Sequence, residues 1–379
     1  MSANEERAVA PSVFAAPERV IFGAGSVRSL GEEVRRLGRR PLVVTGRQAL
    51  AQAGVTGRIL EVLRAAGADA AVFAEVEPEP DLQTADRCRE ALRRHGADLV
   101  IGLGGGSALD VAKVAAALAR EGEPTRTFHQ GRPPGPGGLP IIALPTTGGT
   151  GSEMTNNGVL SDRAARYKAS IRHAALLPRV ALVDPELALA CPPRVTAASG
   201  VDALVQAIES YFSVHATPMT EALSLRAVEE LAAALPAVVE HGGRLDLRTR
   251  AAWGSAMAGL ALSNARLGVV HGMAHPIGVR CEAPHGLVCG VLLPAALDFN
   301  RPAAPEKYRA LATLVGRDPA AYALDLLAGC GLPATLASYG LGSADFDAIA
   351  EETLASGSTK ANPRPVTKAD VVALLEKVD

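Results

Sequence analysis

The feature that most constrains the fold of this 379-residue chain is a change of pattern near its middle. In the first half, short runs rich in Val, Ile and Leu alternate with segments whose apolar residues recur every three or four positions. Strands that alternate with helices in this way pair in parallel and form a layered α/β domain. The predicted strands are 19–23, 41–46, 69–76, 98–105, 140–147 and 179–185.

The second half has a different character. After Pro185 the β-branched runs become rare, and long Ala- and Leu-rich stretches take their place, which predicts helices. A Pro- and Gly-rich segment, 131–140, predicts a surface loop that leads into a strand. We therefore predict an α/β domain over residues 1–188 and an all-helical domain over residues 189–379.

Composition narrows the class of partner. The 38 basic and 40 acidic residues nearly cancel, and only 3% of residues are aromatic, so the basic surface and stacking platforms of nucleic-acid binders are not expected. No run of 18 apolar residues occurs, which argues against a membrane partner. Five scattered cysteines without a Cys-x-x-Cys pair favour a reducing compartment and argue against a thiolate zinc site. We expect a cytoplasmic protein that acts on small molecules.

A glycine-rich turn follows the fourth predicted strand. The strand runs into Gly104, Gly105 and Gly106, and a helix is predicted from Ser107. Glycines let the backbone approach a phosphate closely, and a helix N-terminus offers free N–H groups to an anion. The strict dinucleotide fingerprint is not met, because Ser107 stands in place of its last glycine. The alternative is a tight turn before an ordinary Ser-x-x-Asp helix start, with Asp110 as its last residue.

A second glycine-rich segment follows the fifth predicted strand. Thr146, Thr147 and Thr150 provide short hydroxyl donors, and the glycines beside them expose backbone amides. Two such segments in one α/β half suggest a ligand with several anionic or sugar groups, as a dinucleotide has. Either segment could instead be a loop that binds nothing.

Three of the eight histidines fall within fifteen residues. His271 and His275 are four apart and share a face if this stretch is helical, whereas Pro284 and Gly286 predict that His285 lies in a turn. Isolated histidines are more often surface or satisfied core residues, and that ordinary role is expected of the other five. Those five are His95, His129, His173, His215 and His241.

A carboxylate upstream of the histidines suggests a metal site. Asp202 and Gln206 lie on one side of a predicted helix that is otherwise apolar. A carboxylate in such surroundings is costly unless it is paired or bound to metal. Asp202 with two or three histidines would form a site of nitrogen and oxygen ligands, suited to Zn²⁺ or Fe²⁺, with one coordination position open to substrate.

Several segments together resemble the iron-containing alcohol dehydrogenase family, which belongs to a superfamily with dehydroquinate synthase. The resemblance implies a dehydroquinate synthase-like fold: a Rossmann-like dinucleotide-binding α/β domain, an all-α C-terminal domain and an active site between them. It also implies an NAD(P)-dependent homodimer that transfers hydride reversibly, with the help of a metal, between the nicotinamide and a small aldehyde, ketone or alcohol. The matching segments are RVIFGAGSV, GGGSALDVAK, LPTTGGTGSEMT, LVDPEL, SGVDALVQAIESY, HGMAHPIG, PHGLVCGVLLP and NPRPVTKADVVALL.

The resemblance also implies roles for individual residues. Asp202, His271 and His285 match metal ligands, and His275 matches a histidine beside the metal that relays a proton. Asp202, His271 and His275 are thus the implied catalytic residues, and Lys168 resembles a lysine that approaches the ribose of the cofactor. The other implied cofactor contacts are Gly104, Gly105, Gly106, Ser107, Asp110, Thr146, Thr147 and Thr150.

Two positions depart from the family pattern. Gln206 stands where the family has a fourth metal ligand, a histidine, and its amide oxygen would be a weaker ligand. A metal-free enzyme like the maleylacetate reductases therefore stays open. A lyase of the dehydroquinate synthase type, which retains cofactor and metal, is a separate alternative. Gly46, followed by Arg47, stands where NAD-preferring members carry an aspartate for the ribose 2′-hydroxyl, so we predict that NADP(H) is used at least as well as NAD(H).

Overall fold

The computed structural model describes residues 13–281 and 283–379. Six parallel strands form one sheet, in the order β1-β8-β5-β4-β2-β3, and each of them lies in a predicted strand. Parallel pairing requires crossover connections, which place helices on both faces of the sheet. This confirms the α/β prediction. The strands are β1 (Arg19–Phe22), β2 (Pro41–Gly46), β3 (Ala71–Val76), β4 (Leu99–Gly104), β5 (Ile141–Pro145), β6 (Asn157–Asp162), β7 (Tyr167–Arg172) and β8 (Val180–Val183).

Helices cover both faces of the sheet and bury its apolar side chains. Leu30 and Ile59 belong to the core on one face, and Leu92 and Val111 belong to the core on the other. The amphipathic spacing in the sequence therefore corresponds to helices that each bury one side. These helices are α1 (Leu30–Leu37), α2 (Ala49–Gln52), α3 (Val55–Ala65), α4 (Leu82–His95), α5 (Gly106–Ala117) and α6 (Thr125–His129).

Strands β6 and β7 form an antiparallel hairpin that the sequence did not predict. Their residues, NGVLSD and YKASIR, are too polar and too varied to give a strand pattern. The hairpin packs tightly on α5, where a Cβ at Gly158 would lie 2.7 Å from Val114 Cγ2. It carries Lys168 on β7 and places that residue beside the cleft described below.

The rest of the chain is helical, as predicted. Helix α7 is its centre, because nearly every residue from Gly200 to Phe212 is buried among its neighbours. Within the described ranges, no helix is both long and apolar enough to cross a membrane. The helices are α7 (Pro193–Phe212), α8 (Pro218–Glu240), α9 (Leu245–Ala265), α10 (Val269–Cys281), α11 (His285–Asn300), α12 (Pro305–Val315), α13 (Pro319–Gly329), α14 (Phe346–Ala355) and α15 (Lys368–Leu375).

The two halves are held together next to the second glycine-rich segment. A Cβ on Gly151 would lie only 2.5 Å from Gly259 Cα of α9, and Ser255 Oγ donates a hydrogen bond of 3.1 Å to the carbonyl of Gly149. Nearby, Phe22 of β1 stacks on Trp253 of α9 with ring centroids 3.5 Å apart. These contacts fix the loop after β5 relative to the helical domain.

Candidate active site

The two glycine-rich segments meet at the carboxyl edge of the sheet. Because β4 and β5 are neighbours, the loops that follow them lie side by side. A Cβ on Gly106 would come within 2.5 Å of Thr150 Cγ2, and one on Gly105 within 3.3 Å of Thr147 Cγ2. Gly104 adopts φ 151, a conformation that side chains disfavour. Together the segments form one groove that ends at the N-terminus of α5.

Asp110 does not form the helix-start motif that the sequence left open. Helix α5 begins after Gly105, which provides no side-chain cap, and Asp110 bonds away from the helix. Its two carboxylate oxygens accept hydrogen bonds from Ser152 Oγ at 2.5 Å and from the backbone N–H of Val159 at 3.0 Å. Asp110 therefore ties α5 to the second segment and the hairpin, although it also lines the cleft.

The groove opens into a cleft between the two halves of the chain. The cleft has a volume of about 220 Å³ and is lined by residues of both halves. Ser107 and Thr150 line it from the α/β half, Lys168 from the hairpin, and His275 from the helical half. Three further residues of the predicted metal set, Asp202, His271 and His285, lie on its floor.

Those three side chains come from three different helices and converge. His271 Nε2 lies 3.3 Å from Asp202 Oδ1, and His285 Nε2 lies 3.9 Å from the same oxygen. Within residues 13–281 and 283–379, Asp202 Oδ1 and His271 Nε2 are buried atoms without a hydrogen-bond partner. Buried polar atoms are costly without a partner, so atoms in this state around one point fit the ligands of a cation.

Close helix packing creates this convergence and corrects one prediction. His285 does not lie in a turn: it is the first residue of α11, with Pro284 as the N-cap. Gly286 lets α11 touch α7, since a Cβ there would lie 2.1 Å from the carbonyl oxygen of Ala198 and 2.9 Å from Asp202 Cβ. Proline and glycine here mark a helix start and a close contact rather than a turn.

Glu209 orients His271 and is not among the site residues predicted from the sequence. Glu209 Oε2 accepts a hydrogen bond of 2.6 Å from His271 Nδ1, so Nε2 keeps its lone pair for the cleft. The other oxygen, Oε1, accepts one of 2.7 Å from the backbone N–H of Val270. The available signal was a glutamate seven residues after Asp202, on the same face of a helix that is otherwise apolar.

Cys289 is a second residue that was missed. It lies one helical turn after His285 and is fully buried. Its Sγ lies 3.7 Å from His285 Nε2, and one ligand atom from each of Asp202, His271, His285 and Cys289 lies within 4.8 Å of all the others. The cysteine composition argued against a thiolate ligand, but the four-residue spacing from His285 was the signal.

Gln206 lies beside this cluster and contacts Asp202. Its Nε2 donates a hydrogen bond of 2.8 Å to Asp202 Oδ2, the oxygen not directed at the histidines. Gln206 Oε1 is buried and has no hydrogen-bond partner among the described residues. The amide N–H group of Gln206 thus holds the Asp202 carboxylate, while its amide oxygen stays free of hydrogen bonds to the described residues.

Burial and neighbouring charges set the protonation states of the carboxylate and the histidines in this site. Burial raises the pKa of Asp202, but the neighbouring imidazoles of His271 and His285 outweigh it, so the pKa lies below its ordinary value. Burial lowers the pKa of His285 to about 4, and burial with the charge of Lys168 lowers the pKa of His275 well below its ordinary value. Burial lowers the pKa of His271, but the sulfur and the carboxylates around it outweigh burial, so this pKa lies well above its ordinary value. A divalent cation held here would therefore replace a proton on His271, since a ligand imidazole is neutral.

Lys168 and His275 line the cleft next to this floor. Lys168 forms an ion pair with Glu79, a residue that the sequence analysis did not single out. The ring centroid of His275 lies 5.2 Å from that of His285. The five remaining histidines do not line the cleft, in agreement with their ordinary role: His95, His129, His173, His215 and His241.

Gly46 ends β2 at the same edge of the sheet, beside β4. A Cβ at Gly46 would meet only the carbonyl oxygen of Val76, at an ordinary 3.7 Å, so a side chain fits there. Arg47 is exposed, with its Nε 3.5 Å from the carbonyl oxygen of Glu75. Both residues are therefore accessible to a ligand that extends beyond the groove.

Two family models match the chain in succession. A model described as iron-containing alcohol dehydrogenase matches residues 17–185, and one described as the C-terminal part of the Fe-containing alcohol dehydrogenase family matches residues 196–378. The two matches together take in almost all of the described residues.

Individual proteins agree with the family models. The chain is 34% identical to sulfoacetaldehyde reductase of Bilophila wadsworthia over 95% of this chain and 97% of that protein. It is also 34% identical to lactaldehyde reductase of Escherichia coli K12, over 94% and 97%. Among solved structures, an alcohol dehydrogenase from Oenococcus oeni superposes with a TM-score of 0.93 at 32% identity, over 97% of this chain and 100% of that one.

Proposed function

The chain belongs to the iron-containing alcohol dehydrogenase family and is an oxidoreductase of alcohols and aldehydes, and we propose that its chemistry takes place where the glycine groove meets Asp202, His271 and His285. The observation that carries this proposal is the set of unpaired, buried donor atoms on the cleft floor. A nicotinamide cofactor in the groove would end within reach of a substrate held there.

The part of the protein in the reaction is to bind the cation and the substrate and to orient the reacting groups. A divalent cation, Fe²⁺ or Zn²⁺, held by Asp202, His271 and His285 would supply Lewis acidity toward the substrate oxygen. His275 lines the cleft beside His285, where it would take up the proton of an alcohol and return it to an alkoxide. Gln206 was predicted as a further metal ligand. It lies against Asp202 and is close enough to help hold that carboxylate beside the cation.

The groove provides the cofactor site. The backbone N–H groups at the start of α5 face the position of a pyrophosphate, as is typical of dinucleotide sites. We assign the cofactor contacts to the residues predicted from the sequence, with Lys168 at the ribose and Asp110 as a residue that holds the groove together. The supporting observation is that both glycine-rich segments line one cleft.

The choice of coenzyme depends on Gly46. Without a carboxylate there, a 2′-phosphate has room and Arg47 is near enough to pair with it, which supports use of NADP(H). We expect Gly46→Asp to shift the ratio of kcat/KM for NADPH over NADH toward NADH by at least about tenfold, because like charges repel.

Gly46→Ala is the matched control, since it fills the same space without charge. It should leave the coenzyme ratio close to that of the wild type. If Gly46→Asp also leaves the ratio unchanged, or if the wild type strongly prefers NADH, the assignment of Gly46 to the ribose site is wrong.

The substrate class is tested directly. We propose short aldehydes and ketones, on the support of the two relatives named for small aldehydes and of a cleft lined with hydroxyl groups. Absorbance of the reduced nicotinamide should fall when the purified protein receives such compounds with either coenzyme and added Fe²⁺ or Zn²⁺. If the absorbance falls with none of the short aldehydes or ketones, the proposed substrate class is wrong. A homodimer and a cytoplasmic location stay predictions.

A further inference from the structure

We propose that the thiolate of Cys289 is the fourth protein ligand of the cation, in place of the histidine that the family carries at position 206. This inference rests on the proposed function, because it concerns the metal site of that function. It replaces the expectation that only nitrogen and oxygen would hold the metal, and it makes Gln206 a positioning residue for Asp202.

The geometry is close to that of a four-coordinate site. Tetrahedral zinc with bonds of about 2.1 Å to nitrogen and about 2.3 Å to sulfur places neighbouring ligand atoms roughly 3.3–3.8 Å apart. The observed separations are 3.3 Å for Asp202 and His271, 3.7 Å for Cys289 and His285, and 3.9 Å for Asp202 and His285. All four ligand atoms lie within 4.8 Å of one another, so the other separations would shorten by at most about 1 Å to reach this geometry.

Cys289 is held in place by the packing of α11. It is 0% exposed, and at the adjacent Gly290 a Cβ would lie 2.6 Å from Val201 Cγ1 of α7. The position one turn after His285 places the two side chains on the same face of the helix. The sulfur is thus directed at the cluster by the same helix contact that positions His285.

Ligand chemistry favours cysteine over glutamine as the fourth ligand, because thiolate sulfur is a usual zinc ligand and an amide oxygen is not. A cation-bound thiol loses its proton outright, so the S–H bond breaks, a bond from sulfur to the metal forms, and one proton is released. The softer sulfur also favours Zn²⁺ over Fe²⁺.

Cobalt substitution tests this ligand without relying on activity. The full-length protein is stripped of metal and titrated with Co²⁺, and the near-ultraviolet absorption is recorded. We expect a sulfur-to-cobalt charge-transfer band in the wild type, in Gln206→Ala and in the buried-cysteine control Cys330→Ser. Cys289→Ser should lose the band and bind Co²⁺ at least about tenfold more weakly.

A rescue variant guards against misfolding of Cys289→Ser. Gln206→His in the Cys289→Ser background supplies an imidazole at position 206, and it should recover Co²⁺ affinity without the band. A wild type that binds one equivalent of Co²⁺ without the band, or a Cys289→Ser protein that keeps it, overturns the assignment. Loss of Co²⁺ affinity only in Gln206→Ala would assign the fourth ligand to Gln206.

The same titration separates this inference from the function on which it rests. Turnover that requires metal, in a protein whose cobalt form has no sulfur band, refutes Cys289 as a ligand and leaves the proposed function in place. Turnover of a protein that binds no Co²⁺ refutes the metal site itself.

Discussion

Replacing His271 with alanine should lower kcat by a factor of about a thousand or more, since several kcal/mol of Lewis-acid stabilisation depend on the cation. His271 Nε2 is an unpaired buried donor atom at the centre of the cluster, among the described residues. The nucleotide groove lies at the carboxyl edge of the sheet and does not depend on this side chain, so coenzyme affinity should change little.

The measurement is steady-state kinetics with a short aldehyde, together with coenzyme binding followed by nicotinamide fluorescence. His215→Ala is the control, because His215 is exposed on the same half of the chain and does not line the cleft. It should retain wild-type kcat. Turnover of His271→Ala at the wild-type rate would remove His271 from the reaction.

Glu209→Gln should weaken metal affinity by about 10- to 100-fold, which is the usual cost of losing a carboxylate behind a ligand histidine. Glu209 fixes His271 through a hydrogen bond of 2.6 Å and carries the negative charge that makes the imidazole a better donor. Because Glu209 acts through His271, saturating metal should restore most of kcat. This recovery distinguishes a positioning residue from a catalytic one.

Measuring activity while metal is titrated into the protein gives both the metal affinity and kcat at saturating metal. Glu229→Gln is the control, since Glu229 is an exposed glutamate on α8 that pairs with Arg226 at the surface. Glu209→Asp keeps the charge and should recover part of the affinity. If Glu209→Gln reaches half-maximal activity at the same metal concentration as the wild type, the carboxylate merely fills space under His271.

The sequence predicted the layers of the fold well. Six parallel strands and the helices between them have strong periodic patterns, because each buries a continuous apolar face. The hairpin of β6 and β7 was missed because its residues are polar and varied, although Leu160 and Ile171 belong to the core.

The site was predicted in part. Asp202 and Gln206 are neighbours on one helix, so their proximity follows from their spacing. The approach of His285 to Asp202 depends on the contact between α7 and α11 at Gly286, which no local pattern specifies. Glu209 and Cys289 were missed because their roles arise only when three helices pack together.

The dependence of turnover on bound metal tests the site most directly. The purified protein is treated with a chelator, and its folding is checked by circular dichroism. Its metal content and its aldehyde-dependent oxidation of reduced coenzyme are then measured before and after one equivalent of Zn²⁺ or Fe²⁺ is added. We expect turnover to disappear with the metal and to return in proportion to the metal restored to Asp202, His271 and His285. Full turnover by folded, metal-free protein would contradict this site and favour the metal-free alternative.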